Sequence, residues 1–175
     1  SVWLAEDFTA TREAEERARQ AYDEQQLIFD NAAVGILFAR DRMVQRCNRR
    51  LAEIFGYEPD ELAGRSTRIF YLNDEDFERQ GGELRQAFAS DATYVSEMRV
   101  LRKNGNAIWV RLTGRRAPGN PEHFDLIWIV EDVTERHQAE DALLRAHEEL
   151  EQRVVERTAE LASANTQLQE EVFER

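Results

Sequence analysis

The chain has 175 residues, 42% hydrophobic and 33% charged, with 23 basic against 35 acidic side chains and a formal net charge of −12. That length allows one domain with a full core and some chain left over, and charge above the roughly 25% of an ordinary domain points to long solvated helices. The negative balance argues against nucleic acid or an acidic membrane surface as partner, and no apolar run reaches the roughly 18 residues of a membrane span.

The chain opens on Ser1 with neither a Met nor a signal-peptide pattern, so it is expected to be a segment of a longer, cytoplasmic protein. Cys47 is the only cysteine. It excludes an internal disulfide and reads as a small buried hydrophobe in a reducing compartment. His123, His137 and His147 do not stand at ligand spacing, so no metal site is expected.

Residues 2–9 read VWLAEDFT and residues 127–134 read IWIVEDVT. Trp3, Glu6, Asp7 and Thr9 recur as Trp128, Glu131, Asp132 and Thr134, an offset of 125 that Ala14-Glu15, Ala139-Glu140, Ala21 and Ala146 continue. A fixed period marks a repeated unit. The following stretch, TREAEERARQAYDEQQLIF, is rich in helix formers and free of Gly and Pro. It predicts a helix over residues 10–29, with Thr9 able to cap it.

Residues 31–134 hold all eight glycines and all three prolines. VGILFAR (34–40) and MVQRCN (43–48) flank Asp41-Arg42 and read as a tight hairpin. NRRLAEIF (48–55) reads as a short helix capped by Asn48 and ended by Gly56. PDELAG (59–64) is a helical turn with Pro59 first. DEDFERQGGELRQAF (74–88) is helical, its acidic start suited to a helix N-terminus, and Gly81-Gly82 is expected to weaken or bend it. TYVSEMRVLRK (93–103) meets AIWVRLTGRRA (107–117) across Asn104-Gly105, a strong hairpin signal. PGNP (118–121) turns the chain into FDLIWIVEDV (124–133).

The order β-β-α-α-α-β-β-β predicts an α+β fold with a five-stranded antiparallel sheet. In the last strand Leu126 and Trp128 must face one way and Ile127 and Ile129 the other. Both sheet faces therefore need cover there. The short helices serve one face, and a flanking helix or a second subunit the other.

From residue 134 onward the chain predicts one unbroken helix of about 60 Å. DVTE (132–135) has a capping-box pattern, with Asp132 or Thr134 as the cap. Leu143, His147, Leu150, Val154, Thr158, Leu161, Asn165, Leu168 and Val172 form a heptad seam with one extra step of four between Val154 and Thr158. A helix this polar cannot bury such a seam alone, so a parallel two-stranded coiled coil and a homodimer are expected. Asn165 would fix its register.

Four fragments in order resemble the PAS family: IFDNAAVGI (28–36), CNRRLAEIFGYEPDELAGR (47–65), RKNGNAIWVRL (102–112) and EDVTERHQAE (131–140). LEQRVVERTAEL (150–161) is similar to the signalling-helix linkers that follow such domains, whose Glu-Arg-Thr signature is here Glu156, Arg157 and Thr158. The resemblance implies a PAS fold with short helices on one sheet face, flanked by an N-terminal helix and a long coiled-coil helix. It divides the chain into 1–9, the tail of a preceding PAS repeat; 10–29, a linker helix; 30–134, the PAS domain; and 135–175, a signalling helix. The 125-residue period would then be one unit of a tandem array. Asp132 and Thr134 match the family's exit into the signalling helix and are expected to transfer the signal, with Glu156, Arg157 and Thr158 at the break in heptad phase.

The resemblance also raises the question of a cofactor. Photoactive flavin members resemble Gly-x-Asn-Cys-Arg; here GRSTR (64–68) puts Thr67 at the cysteine position, which disfavours covalent flavin chemistry. No His lies within residues 73–90, which disfavours His-ligated haem. A small organic ligand or a non-covalent flavin would lie between the inner sheet face and the short helices, against Asn48, Phe55, Phe70, Tyr71, Trp109 and Thr113. An empty, packed core without cofactor is the leading expectation. Phe55 and Phe70 also read as plain core, Asn48 as a helix cap, and Trp109 and Trp128 as cover for the outer face.

No phosphate-cradling glycine loop, nucleophile–base pair or metal spacing appears, so no catalytic residue is assigned and the chain is not expected to be an enzyme. The expected role is a sensory and dimerisation module. It would pass a signal through the paired helix to a histidine kinase or diguanylate cyclase output, with a PAS repeat upstream. A ligand-free structural spacer and a heterotypic docking module using an exposed sheet edge are the alternatives.

Overall fold

The computed structural model describes residues 2–89, 92–117 and 123–173. The chain divides into two units, Ser1–Val133 and Thr134–Arg175.

The first unit opens with α1, Val2–Asp30. The helix begins well before residue 10, so Thr9 lies inside it and does not cap it, and VWLAEDFT is helical where its echo IWIVEDVT reads as a strand. A strand needs a neighbour for its backbone groups, whereas a helix satisfies them within the segment. Tyr22, Leu27 and Ile28 of α1 are exposed, while Phe29 is buried.

β1 (Gly35–Arg40) and β2 (Met43–Cys47) form the predicted hairpin. Asp41 and Arg42 both adopt positive φ, 48° and 65°, the twist a two-residue turn requires. α2 (Arg49–Phe55) follows, capped by the Asn48 side chain and closed by Gly56 at φ 74°. α3 is Pro59–Leu62, and a single 3₁₀ turn, Thr67–Phe70, leads toward α4, Asp74–Ala89. The turn at 67–70 carried no clear sequence signal. α4 runs through Gly81-Gly82 as one helix, so the expected break is absent.

β3 (Tyr94–Leu101), β4 (Ala107–Arg116) and β5 (Asp125–Asp132) complete an antiparallel sheet of order β2-β1-β5-β4-β3. The turn expected at residues 118–121 lies outside the described residues. β5 sits centrally, with Leu37 opposite Trp128 and Gly114 opposite Trp128 on its other side. Leu126, Trp128 and Val130 are buried on the inner face with Leu37, Ala39, Val110 and Leu112, beneath α2, the 3₁₀ turn and α4. On the outer face Phe29 of α1 packs on Phe38 with ring centroids 5.9 Å apart, yet Ile129 stays 39% exposed.

The second unit is α5, Thr134–Phe173, a single helix of 40 residues. Asp132 belongs to β5 rather than to this helix. Leu143 is 73% exposed, and Leu150, Val154, Leu161, Leu168 and Val172 are exposed along the same seam.

Candidate functional site

Under the inner sheet face lies a cavity of about 50 Å³. Leu37, Ala39, Leu112, Leu126, Trp128 and Val130 form its sheet wall, and Phe55, Thr67, Phe70, Tyr71 and Leu84 close it from the helices. Phe55 and Phe70 stack with ring centroids 4.2 Å apart. Among the sequence candidates, Phe55, Phe70 and Tyr71 meet here. Asn48, Trp109 and Thr113 do not line this cavity.

The reason differs for each. Trp109 and Thr113 alternate with buried Ile108, Val110 and Leu112 along β4, so they stand on the outer face. They share that face with Arg111 and Arg115, a charge pattern that marks it as outward. Trp128 lies on the inner face instead of covering the outer one. Gly114 makes room for it, since a Cβ there would lie 2.7 Å from the indole. A glycine inside a strand signals such a close approach.

Asn48 is fully buried and works as a four-way clamp. Its Oδ1 accepts from the Ile36 N–H at 2.8 Å and the Leu51 N–H at 3.0 Å. Its Nδ2 donates to the carbonyls of Phe29 at 2.9 Å and Val34 at 3.0 Å. The side chain thus caps α2 and also ties the end of α1 to β1.

One corner of the cavity is polar. The Tyr71 hydroxyl donates to Gln80 Oε1, and Gln80 Nε2 lies 3.4 Å from the Met98 sulfur. Burial pushes the Tyr71 hydroxyl up to about 12, with the Arg42 charge opposing the shift. Arg42 reaches in from the β1–β2 turn. Its Nη2 donates to the Phe77 carbonyl at 2.6 Å, and its guanidinium lies 3.2 Å over the Phe77 ring. Thr67 is buried in the cavity wall. Cys47 is half-buried against the core, and burial raises its thiol.

The β3–β4 turn connects this cavity to the end of the sheet. Lys103 N–H donates to the Phe55 carbonyl at 2.8 Å, and Lys103 Nζ donates to Glu61 at 2.6 Å. That contact holds the Glu61 carboxyl below its ordinary range. Arg102 Nη2 donates to Asp132 Oδ2 at 2.8 Å, and the Val133 N–H donates to the Trp109 carbonyl at 3.0 Å. Arg102 Nε is buried with no hydrogen-bond partner among the described residues. Asp132 is therefore bonded to Arg102. Sequence reasoning missed Arg102, although its place beside the Asn104-Gly105 turn puts it near the end of β5.

Along α5, Thr158 donates its hydroxyl to the Val154 carbonyl at 2.7 Å, across the extra step of four. His147 lies 3.3 Å from Glu151, Gln152 donates to Glu156 at 2.8 Å, and Arg157 pairs with Glu160 at 2.9 Å. His123 contacts Asp41 at 3.0 Å, and the Asp41 carboxyl is held below its ordinary range by the Phe124 N–H and then by His123. Among the described residues no group of three or more His, Cys, Asp or Glu side chains is placed to hold a metal ion, and no helix is long and apolar enough to cross a membrane.

Comparison with known proteins places these features. The family described as "PAS domain" matches residues 32–135. The chain is 36% identical to the sensor protein TdiS of Thauera aromatica over 136 residues, covering 78% of this chain and 25% of that protein. It is 26% identical to the sensor histidine kinase TmoS of Ectopseudomonas mendocina over 125 residues, covering 70% of this chain and 13% of that one. It thus spans a quarter or less of the length of these relatives. Among solved structures it resembles the PAS domain, in complex with ethanol, of a LuxR-family transcriptional regulator from Burkholderia thailandensis. The TM-score is 0.57 at 29% identity, covering 62% of this chain and 96% of that one.

Proposed function

Because this chain belongs to the PAS domain family and is homologous to the PAS domains of sensor histidine kinases, we propose that its core cavity takes up a small organic molecule and that occupancy is passed through the β3–β4 turn to α5. One observation carries the reading: a single turn is hydrogen-bonded to the cavity wall at Phe55 and to the end of β5 at Asp132. β5 ends at Asp132 and α5 begins at Thr134, so a shift of that strand end moves the start of the helix.

The size of the ligand follows from the cavity. About 50 Å³ is far below the roughly 300–1,000 Å³ of sites that hold drug-sized ligands. A volume this small favours a molecule of a few heavy atoms over a flavin ring system, and the ethanol complex of the Burkholderia domain is consistent with that class.

α5 pairs with a second copy in a parallel coiled coil, in this reading. Its seam is exposed in the single chain, and the Thr158 hydroxyl is satisfied within its own helix, so it can enter an apolar seam without an unpaired donor. The break in phase offers two close packings, the bistable element a switch needs. A histidine kinase or diguanylate cyclase output would follow, with another PAS repeat upstream. Sedimentation equilibrium is expected to give a dimer, and Leu161→Glu a monomer at the same concentration. A monomeric wild type would remove the coiled coil from the reading.

Hydrogen exchange with and without ethanol tests the relay. Ethanol is expected to change protection in residues 100–106 and 130–140, and Arg102→Ala is expected to abolish the change in 130–140 only. The partly exposed Arg102–Asp132 pair contributes about 0.5–1 kcal/mol, so the variant stays folded. Undiminished propagation in the variant would sink the proposed route.

A further inference from the structure

The polar corner of the cavity is built around a cation, Arg42. Arg42 carries a permanent positive charge and lines the cavity together with Tyr71 and Gln80. Among the described residues no carboxylate pairs with it, although the chain carries 35 acidic side chains. Its neighbour Asp41 is committed elsewhere, accepting from the Phe124 N–H at 3.0 Å and contacting His123. The Phe77 carbonyl, the Tyr71 hydroxyl and the Phe77 and Tyr71 rings offset the charge in part. Gln80 Nε2 lies against the Met98 thioether, a weak acceptor, and the Gln80 side chain also reaches the Tyr94 hydroxyl.

The placement of this cation is built into the backbone. Asp41 and Arg42 both occupy the left-handed region, which side-chain-bearing residues rarely adopt. Across from them, Gly81 leaves the space that Arg42 fills, since a Cβ at Gly81 would lie 2.7 Å from Arg42 Nη1. That explains a glycine within α4 that does not break the helix.

We infer that the cavity is selective for a small organic anion, a short-chain monocarboxylate, with Arg42 as the residue that recognises it. The carboxylate supplies the missing negative charge and a charged acceptor in place of the neutral ones that Arg42 and Gln80 meet, and its short alkyl group lies against Leu37, Leu126 and Val130. This rests on the reading of the cavity as a ligand site and adds the ligand's charge to it.

Propionate and propionamide have nearly the same shape and differ in charge. Calorimetric titration of the full chain, with NMR shifts of the Leu37, Leu126 and Val130 methyls locating the site, is expected to show propionate binding roughly 10- to 100-fold tighter. Arg42→Met and Gly81→Ala are each expected to reduce that ratio to about one, the second by displacing the guanidinium without removing it. Equal binding of the two compounds to the wild type overturns the inference and leaves the cavity reading standing. A preference that survives in both variants overturns the role of Arg42. Binding of neither compound overturns the inference and the small-ligand reading together, whereas binding of ethanol alone overturns only the inference.

Discussion

Replacing Asn48 with Ala is expected to lower the unfolding free energy by about 3–4 kcal/mol. The side chain serves two N–H donors, of Ile36 and Leu51, and two carbonyls, of Phe29 and Val34, with none of it exposed. Loss of an N-cap costs about 1 kcal/mol by itself, and each buried group left without a partner adds about 1–3 kcal/mol before relaxation recovers part of it. Denaturant unfolding with a common slope measures the difference. A loss below about 1 kcal/mol would show that the clamp does not hold α1, β1 and α2 together. Asn48→Asp separates the two roles. It keeps the acceptor for both N–H groups but sets a carboxylate against two carbonyls, which raises its folded-state pKa above the unfolded value of about 3.9. Its stability is therefore highest below that value and is lost as pH rises through the folded-state pKa.

Trp128→Ala is expected to cost about 3–5 kcal/mol, because the indole is buried between β4 and the cavity and packs edge-on to Tyr94 at 5.9 Å. Gly114→Val is expected to cost about 1–3 kcal/mol by overpacking, since the new side chain meets the indole. The two changes are directly opposite in the β4–β5 register and should not add. In the Trp128→Ala background the valine enters vacated space, so the double variant is expected to be more stable than Trp128→Ala alone. Additive losses would mean that Gly114 is required by its backbone and not by the indole. The enlarged cavity is also expected to accept bulkier apolar molecules, read as a rise in Tm with added indole.

Much of the fold was legible because its signals are local. Asp41-Arg42 and Asn104-Gly105 mark hairpins through the backbone twist they permit, and Asn48 and Gly56 bracket α2 through capping chemistry. The seam from Leu143 to Val172 and the run without Gly or Pro make α5 readable from sequence alone. Phe55, Phe70 and Tyr71 lie in short segments between hairpins, so their place at the cavity followed from the order of elements. Tertiary structure decided what pattern leaves open. Alternation along a strand says which residues share a face, not which face is inward, so Trp109 and Trp128 looked alike until the β4–β5 pairing set Trp128 against Gly114. Arg42 faces the cavity with its guanidinium against residue 81, distant in sequence, where a side chain would crowd it. Asn48 could be read as a cap, but its bonds to Phe29, Val34 and Ile36 exist only once α1 and β1 have come together. Local backbone preference and periodicity act within a few residues, whereas the sign of a face, the room for a half-buried cation and the partners of a buried amide are set by chain segments that meet only in the folded protein.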